Sequence, residues 1–292
     1  MWIIAIDGGG TKCDAGLFSP EGQLISTARS GAANVFANFE GAIEAIELAC
    51  DELIETANKQ LSTNSKITKE HCFLSLGCAG GGVESAQLNF DEWQHQYAAA
   101  ILNTDAHVSC LAANTGDPCA LFIIGTGSCL AVYQHNEVKQ YGGHGFLLGD
   151  YASGAWLGKQ AVSWYLKSLE IPHPDCELKS LLEALLGCNT SDIIRQYGQA
   201  NAGKFGALAP KILTVEQSST TVKKWLLEGA QYVTDLLSEH TLPDSPVFLT
   251  GGLARIYQPL LTKINDRSIC IPNENAVYGA YLAAKKSMNR AD

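Results

Sequence analysis

Short apolar run, glycine turn, second run, polar turn, third run: this pattern occurs twice in the chain, offset by about 117 residues from Gly8 to Gly125. The first copy is Trp2–Ile6, Asp7-Gly8-Gly9-Gly10-Thr11-Lys12, Ala15–Phe18, a turn at Ser19-Pro20-Glu21-Gly22, and Gln23–Arg29. The second is Ala120–Ile124, Gly125-Thr126-Gly127-Ser128, Cys129–Gln134, a turn at His135-Asn136-Glu137, and Val138–Tyr141. Each copy reads as an antiparallel three-strand meander. Recurrence at a domain-sized period predicts a duplicated α/β unit rather than a solenoid.

The remaining segments fit that plan. Apolar residues at helical spacing predict a helix over Phe39–Gln60, and Cys72–Leu76 is a buried strand ending in Gly77-Cys78-Ala79-Gly80-Gly81-Gly82. A helix is expected over Glu84–Ala99, a brief strand over Ala100–Asn103, and a helix over Ala106–Asn114. Beyond Gly142-Gly143 the chain reads as mostly helical, at Ser153–Leu169, Glu177–Leu186, Ser191–Tyr197, Lys204–Leu213 and Glu216–His240. A strand at Val247–Leu249 meets Thr250-Gly251-Gly252, and a helix lies near Ala276–Lys286. At 292 residues the chain has room for two domains. No low-complexity linker separates the halves, so they are expected to pack around a shared cleft.

Composition removes several classes of function. The formal charge of −10 argues against a nucleic-acid backbone or an anionic membrane as the main partner. No apolar run reaches the roughly 20 residues of a membrane span. The start Met1-Trp2-Ile3-Ile4-Ala5-Ile6-Asp7 lacks the basic region of a signal peptide. Ten cysteines occur without a CxxC or zinc spacing, which predicts reduced, mostly buried thiols in a cytoplasmic protein. The 28 glycines exceed the usual share, and they are clustered where strands end.

Those clusters suggest phosphate chemistry. Three glycines after a strand let backbone approach a ligand, and exposed N–H groups in such a turn suit phosphate oxygens. Lys12 and the Thr11 hydroxyl add charge and donors beside Gly10, and Asp7 is positioned to hold Mg2+ directly or through water. Gly125-Thr126-Gly127-Ser128 repeats the arrangement in the second copy. Thr250-Gly251-Gly252 follows a third strand and offers flat backbone to a purine or ribose. Gly158-Lys159 lacks the flanking residues of a phosphate-binding P-loop. Asp105 opens a helix after a strand. A helix cap is one reading of it, and an acceptor for a substrate hydroxyl proton is the other. Finally, Gly142-Gly143-His144-Gly145 through Asp150 to Gly154 combines open backbone with His144, Asp150 and Ser153, which suits sugar hydroxyls.

With these motifs the chain resembles the actin-like ATPases, and more closely the BadF/BadG/BcrA/BcrD-type ATPase family, within which it is similar to N-acetylglucosamine and glucosamine kinases. The resemblance covers nearly the whole chain and is sharpest at residues 4–12, 31–35, 103–112, 124–129, 142–158 and 249–254. It implies duplicated ribonuclease H-like domains: an N-terminal lobe over 1–115, completed by a C-terminal helix at 276–292, and a C-terminal lobe over 116–275 with helical insertions. It implies ATP and Mg2+ as cofactors and phosphorylation of an amino sugar at its 6-hydroxyl. Asp7 would position the metal. Gly10, Thr11, Lys12, Thr126, Gly127 and Ser128 would contact phosphates, with Gly251 and Gly252 against the adenosine. Asn34, in Ser30-Gly31-Ala32-Ala33-Asn34, would bind sugar, as would Gly143, His144 and Asp150. Asp105 would bind sugar and act as base. Lys204–Lys211 resembles the helix near the nucleotide. The resemblance also implies a homodimer. Tyr151 and Ala152 stand where these kinases often have Glu-Gly. The alternative activity is that of an ATPase energising a partner dehydratase through an iron–sulfur cluster.

Overall fold

The computed structural model describes residues 1–61, 66–171, 175–264 and 267–291. Two five-stranded sheets carry the duplication. In the first, β1 (Trp2–Gly8), β2 (Cys13–Phe18) and β3 (Leu24–Ser30) form the meander, and β4 (Cys72–Cys78) and β5 (Ala99–Thr104) extend it in the order β3-β2-β1-β4-β5. β1 pairs antiparallel with β2 and parallel with β4, and β4 pairs parallel with β5. In the second sheet β6 (Cys119–Ile124), β7 (Ser128–Gln134), β8 (Glu137–Gly142), β9 (Val247–Thr250) and β10 (Ile269–Cys270) take the order β10-β9-β6-β7-β8. Each sheet thus places its meander on one side of the first strand and two later strands on the other.

The chain divides into two compact units. The first comprises Met1–Cys119, Tyr133–Val138 and Pro272–Asp292, and the second Ala120–Val132 and Lys139–Ile271. The division therefore runs a few residues away from 115/116 and 275/276, and the tip of the β7–β8 hairpin groups with the first unit. Asp292, the last residue of the expected terminal helix, lies outside the described residues.

In the first unit β1 is buried on both faces, which is why it reads as an unbroken apolar run. Ile4 and Ile6 face Ile46, Cys50 and Leu53 of α1 (Phe39–Gln60), while Ile3 and Ala5 face the opposite cluster. That second cluster takes Val108 from α3 (Asp105–Ala113) and Val277, Ala280 and Ala284 from α11 (Ala276–Ala291). Helices α3 and α11 cross so closely that a β-carbon on Gly279 would fall 1.7 Å from the Val108 carbonyl oxygen.

The second unit packs its sheet against α4 (Gly154–Glu170), α9 (Thr220–His240) and α10 (Ala254–Ile264), with Phe122, Leu130, Leu157, Trp225, Val233, Leu249 and Tyr257 in one core. Shorter helices are α5 (Cys176–Leu186), α6 (Thr190–Tyr197), α7 (Ala202–Gly206) and α8 (Ala209–Ile212).

Several expectations change. The helix expected over Glu84–Ala99 ends at Glu92 as α2 (Glu84–Glu92), because Tyr97 is buried and donates its hydroxyl to Glu47 Oε2 at 3.0 Å. That contact draws the following residues into extended chain and starts β5 earlier. The helix expected over Lys204–Leu213 is α7 and α8 followed by a 3-10 turn, with Pro210 at the start of α8, where its missing N–H costs nothing. α9 begins at Thr220 rather than Glu216 because Ser219 caps it, its side chain accepting from Val222 N. Helix α10, with Pro259 inside it, and strand β10 have no counterpart in the sequence reading. Six thiols are buried, but Cys176, Cys188 and Cys270 are exposed.

Candidate active site

In the first unit, the C-terminal ends of β1, β4 and β5 bring together residues distant in sequence. Asp7 stands opposite Asp14 of β2 and Gly77 of β4, and Gly77 stands opposite Asn103 of β5. The turn after β1 closes through Gly9 N donating to Lys12 O at 2.8 Å. Ala33 N donates to Gly9 O at 2.8 Å, Ala79 N to Gly8 O at 2.7 Å, and Val35 N to Ala79 O at 3.1 Å. The Asn34 segment and the glycine triplet at 80–82 are thereby laced to the Asp7 turn. Asn34 Oδ1 accepts from Phe36 N and Ala37 N at 3.1 and 2.9 Å, so the residue shapes its own loop. A β-carbon on Gly81 would fall 2.4 Å from Asn103 O, so the triplet packs against the end of β5, just before Asp105.

Asp105 is not the cap of its helix. Thr104 is: its hydroxyl accepts from His107 N at 3.0 Å. The Asp105 carboxylate accepts from Ala106 N at 2.9 Å, and no side chain among the described residues is hydrogen-bonded to it. Burial raises its pKa above the ordinary aspartate value, against the pull of the adjacent backbone N–H groups. Asp7 is pushed up to about 6, first by burial, then by Asp14, with Lys12 opposing and Asp105 adding to the rise. The ammonium of Lys12 is paired with Asp14, which also accepts from Arg29 Nε at 2.5 Å. Asp7, Lys12, Asp14 and Arg29 border a cavity of about 810 Å³. Asp14 and Arg29 went unassigned in the sequence. An acid two residues past Lys12 was visible there, but its pairing was not.

In the second unit the turn Gly125–Ser128 is gripped from two sides. Gly154 N and Ala155 N, at the start of α4, donate to Gly125 O and Thr126 O at 2.8 and 3.2 Å, and Leu253 N donates to Ile124 O at 3.0 Å. Gly251, with φ +97°, packs on Ile124 so closely that a β-carbon would lie 2.4 Å from its carbonyl oxygen. The Asp150 loop leans on the same turn. Asp150, buried and at φ +55°, puts Oδ2 2.8 Å from where a β-carbon of Gly127 would be. Ser128 Oγ donates to Tyr151 O at 2.5 Å, so that hydroxyl braces the loop. Gly143 lies against Cys129, whereas His144 is exposed. Thr126 is exposed beside Gly206. Lys204 is engaged locally, donating to Gln196 O at 2.8 Å and lying over the Tyr197 ring. Gly158 has a packing role: a β-carbon there would fall 2.0 Å from Phe205 O, where α4 crosses α7.

The glycines of the three turns, after β1, β6 and β9, thus divide into two kinds. Gly8, Gly127 and Gly251 lack side chains because protein atoms occupy the space. At Gly10, Gly125 and Gly252 a β-carbon would meet nothing within 4 Å, and none of the three has a positive φ. Among the described residues nothing demands glycine at those three positions.

The sequence profile of the BadF/BadG/BcrA/BcrD ATPase family matches residues 4–284. The chain belongs to that family. A glucosamine kinase of Vibrio cholerae is 26% identical over 287 residues, covering 98% of this chain and 96% of that protein. An N-acetyl-D-glucosamine kinase of Dictyostelium discoideum is 26% identical over 256 residues, covering 81% and 78%. A crystal structure of a Chromobacterium violaceum protein, named provisionally as an N-acetylglucosamine kinase, superposes with a TM-score of 0.83 at 24% identity, covering 97% of this chain and 98% of that one. This BadF/BadG/BcrA/BcrD-type chain therefore has the duplicated α/β fold of the actin-like sugar kinases. Both glycine turns, the Asn34 segment, Asp105 and the Asp150 loop all fall within the part of the chain that the family profile matches.

Proposed function

We propose that this chain is an ATP-dependent kinase that phosphorylates the 6-hydroxyl of an amino sugar, glucosamine or N-acetylglucosamine. The observation that carries the reading is the freedom of Asp105. A carboxylate at the start of a helix normally caps it. Here Thr104 does that work, and burial raises the basicity of the carboxylate that is left over. In the proposed reaction the sugar's 6-oxygen attacks the γ-phosphorus, its proton passes to Asp105, and ADP leaves. Phosphoryl transfer needs positioning and charge neutralisation more than covalent help.

The three glycines without an internal reason, Gly10, Gly125 and Gly252, support nucleotide binding, because they leave bare backbone where phosphates and adenosine would lie. Thr11, Lys12 and Thr126 would add polar contacts. Ser128 and Gly127 would act through the Asp150 loop as well as through the nucleotide. Asn34, Gly143, His144 and Asp150 would meet the sugar.

Asp7 fits Mg2+ by its donor chemistry. It is a hard oxygen ligand, and it is crowded by Asp14 and Asp105. Asp7 would hold such an ion, whose chemistry there would be neutralisation of phosphate charge. Ten free thiols suit a reducing cytoplasm, and a homodimer, which sedimentation would test, completes the reading.

The test is Asp105→Asn. Asparagine keeps the acceptor for Ala106 N, so the protein should melt no lower than wild type. Phosphorylation of both amino sugars should fall about 10²–10⁴-fold, with nucleotide affinity kept. An unchanged rate would remove Asp105 from the mechanism. A coupled assay over glucosamine, N-acetylglucosamine and glucose assigns the substrate.

A further inference from the structure

The loop that carries Asp150 has a second side. Asp150 turns inward against Gly127, whereas Tyr151 is 48% exposed and lines a cavity of about 490 Å³ lying wholly within the second unit. Tyr151 adjoins Tyr232 with ring centroids 5.2 Å apart and Trp156 at 6.3 Å, each pair tilted, so its exposed side chain stands on a base of two further rings. Among the described residues every charged side chain lining this cavity is acidic: Glu228 and Asp235, both on α9. Asp235 Oδ1 accepts from Gln231 Nε2 at 2.7 Å, which leaves Oδ2 for another donor. Glu228 has Lys224 3.8 Å away as a solvent-exposed neighbour, a pair that water screens and a ligand can replace.

We propose that this cavity binds a protonated amino sugar, at a site separate from the residues assigned to catalysis. A pyranose ring lays its C–H face on an aromatic platform, and its hydroxyls and ammonium need acceptors at the rim. The cavity's volume is in the range of small-molecule sites. Two carboxylates and no lining cation select for positive charge. A phosphorylated sugar would be repelled, so the site takes the unphosphorylated amine and discriminates against a phosphorylated product.

Occupancy also reaches Asp150. The Tyr151 carbonyl holds the Ser128 hydroxyl, and Tyr151 is bonded directly to Asp150. The Tyr232 hydroxyl lies 2.7 Å from the place a β-carbon on Gly142 would occupy. A ligand resting on Tyr151 and Tyr232 therefore restrains both ends of the 142–151 segment. The preference for a cation rests on the chemistry of the cavity, and the choice of an amino sugar as that cation rests on the kinase reading.

The experiment is calorimetric titration of the full chain with glucosamine hydrochloride, in an Asp150→Asn background that weakens the proposed catalytic sugar site while tolerating the positive φ. That protein should still bind one glucosamine. Adding Glu228→Gln and Asp235→Asn, two surface changes on α9, should weaken binding at least tenfold. Glucose, the uncharged counterpart, should bind the Asp150→Asn protein at least tenfold more weakly than glucosamine. Glucosamine binding that is unchanged by the α9 substitutions, or absent from the Asp150→Asn protein, overturns the site. Equal binding of glucose overturns its selectivity for the ammonium. No turnover is measured, so failure here is distinct from failure of the kinase assay.

Discussion

Gly127 lacks a side chain because Asp150 stands where one would go, and that statement can be tested quantitatively. A β-carbon on Gly127 would lie 2.8 Å from Asp150 Oδ2 and 3.4 Å from Cγ, so the carboxylate of a Gly127→Ala protein must retreat by roughly half an ångström. The backbone that carries it is held in place, so the side chain itself must turn away. Asp150 and Ala152 both hold positive φ, at +55° and +68°, both are buried, and the Tyr151 carbonyl between them is held by Ser128. Overpacking at a constrained position costs about 1–3 kcal/mol. Taking about 2 kcal/mol, the melting temperature should fall by about 4–8 °C. The decisive measurement is a double-mutant cycle by equilibrium urea unfolding. Asp150→Gly removes the carboxylate and suits the backbone conformation. In that background Gly127→Ala should cost less than about 0.5 kcal/mol, giving a coupling of about 1.5 kcal/mol or more. Equal costs in the two backgrounds would refute the reasoning and leave close approach of phosphate as the reason for this glycine. A rise in the KM for ATP that survives in the double mutant would point the same way.

Other consequences follow from the same geometry. Because burial raises Asp105 and a base must be deprotonated, kcat/KM for the amino sugar should fall on acidification at a pH above the ordinary aspartate range; a rate still flat at about pH 4 contradicts that role. Gly279→Ala drives a β-carbon into the Val108 carbonyl and must part α11 from α3, at a cost of about 3–5 kcal/mol, read by thermal unfolding. Asp175 accepts from Ser219 Oγ at 2.6 Å and Thr221 N at 3.1 Å; burial would raise its pKa, but these hydrogen bonds hold the carboxyl below the usual range. Its stabilisation is therefore present above the unfolded carboxylate pKa and is lost as pH falls through the lower folded value. Asp175→Asn should cost about 2 kcal/mol near pH 7, and the gap from wild type should narrow in acid.

Much of the fold was legible because the signals are local. Helix α1 runs over Phe39–Gln60 as its apolar spacing predicts, and both meanders form where apolar runs alternate with turn residues. The misreadings occur where distant contacts decide. Tyr97 leaves a helix-forming stretch to reach Glu47, and Pro210 starts a new short helix instead of continuing one. Proline inside α10 masked a helix whose Tyr257 and Leu261 are buried in the second unit's core.

At the candidate site the amino acids alone determined which residues were available: an acid after a first strand, two matched glycine turns, and an acid opening a helix. Only the tertiary structure decided what each is free to do. The pKa of Asp105 is raised above the ordinary aspartate value because the elements packed around it bury it. Lys12 is engaged because Asp14 and Arg29 meet across β2 and β3. Gly10, Gly125 and Gly252 face open space, while Gly8, Gly127 and Gly251 fill contacts. The physical reason is that turn formation depends on neighbours along the chain, whereas burial, charge and the space beside a backbone atom depend on neighbours that arrive from other strands and helices.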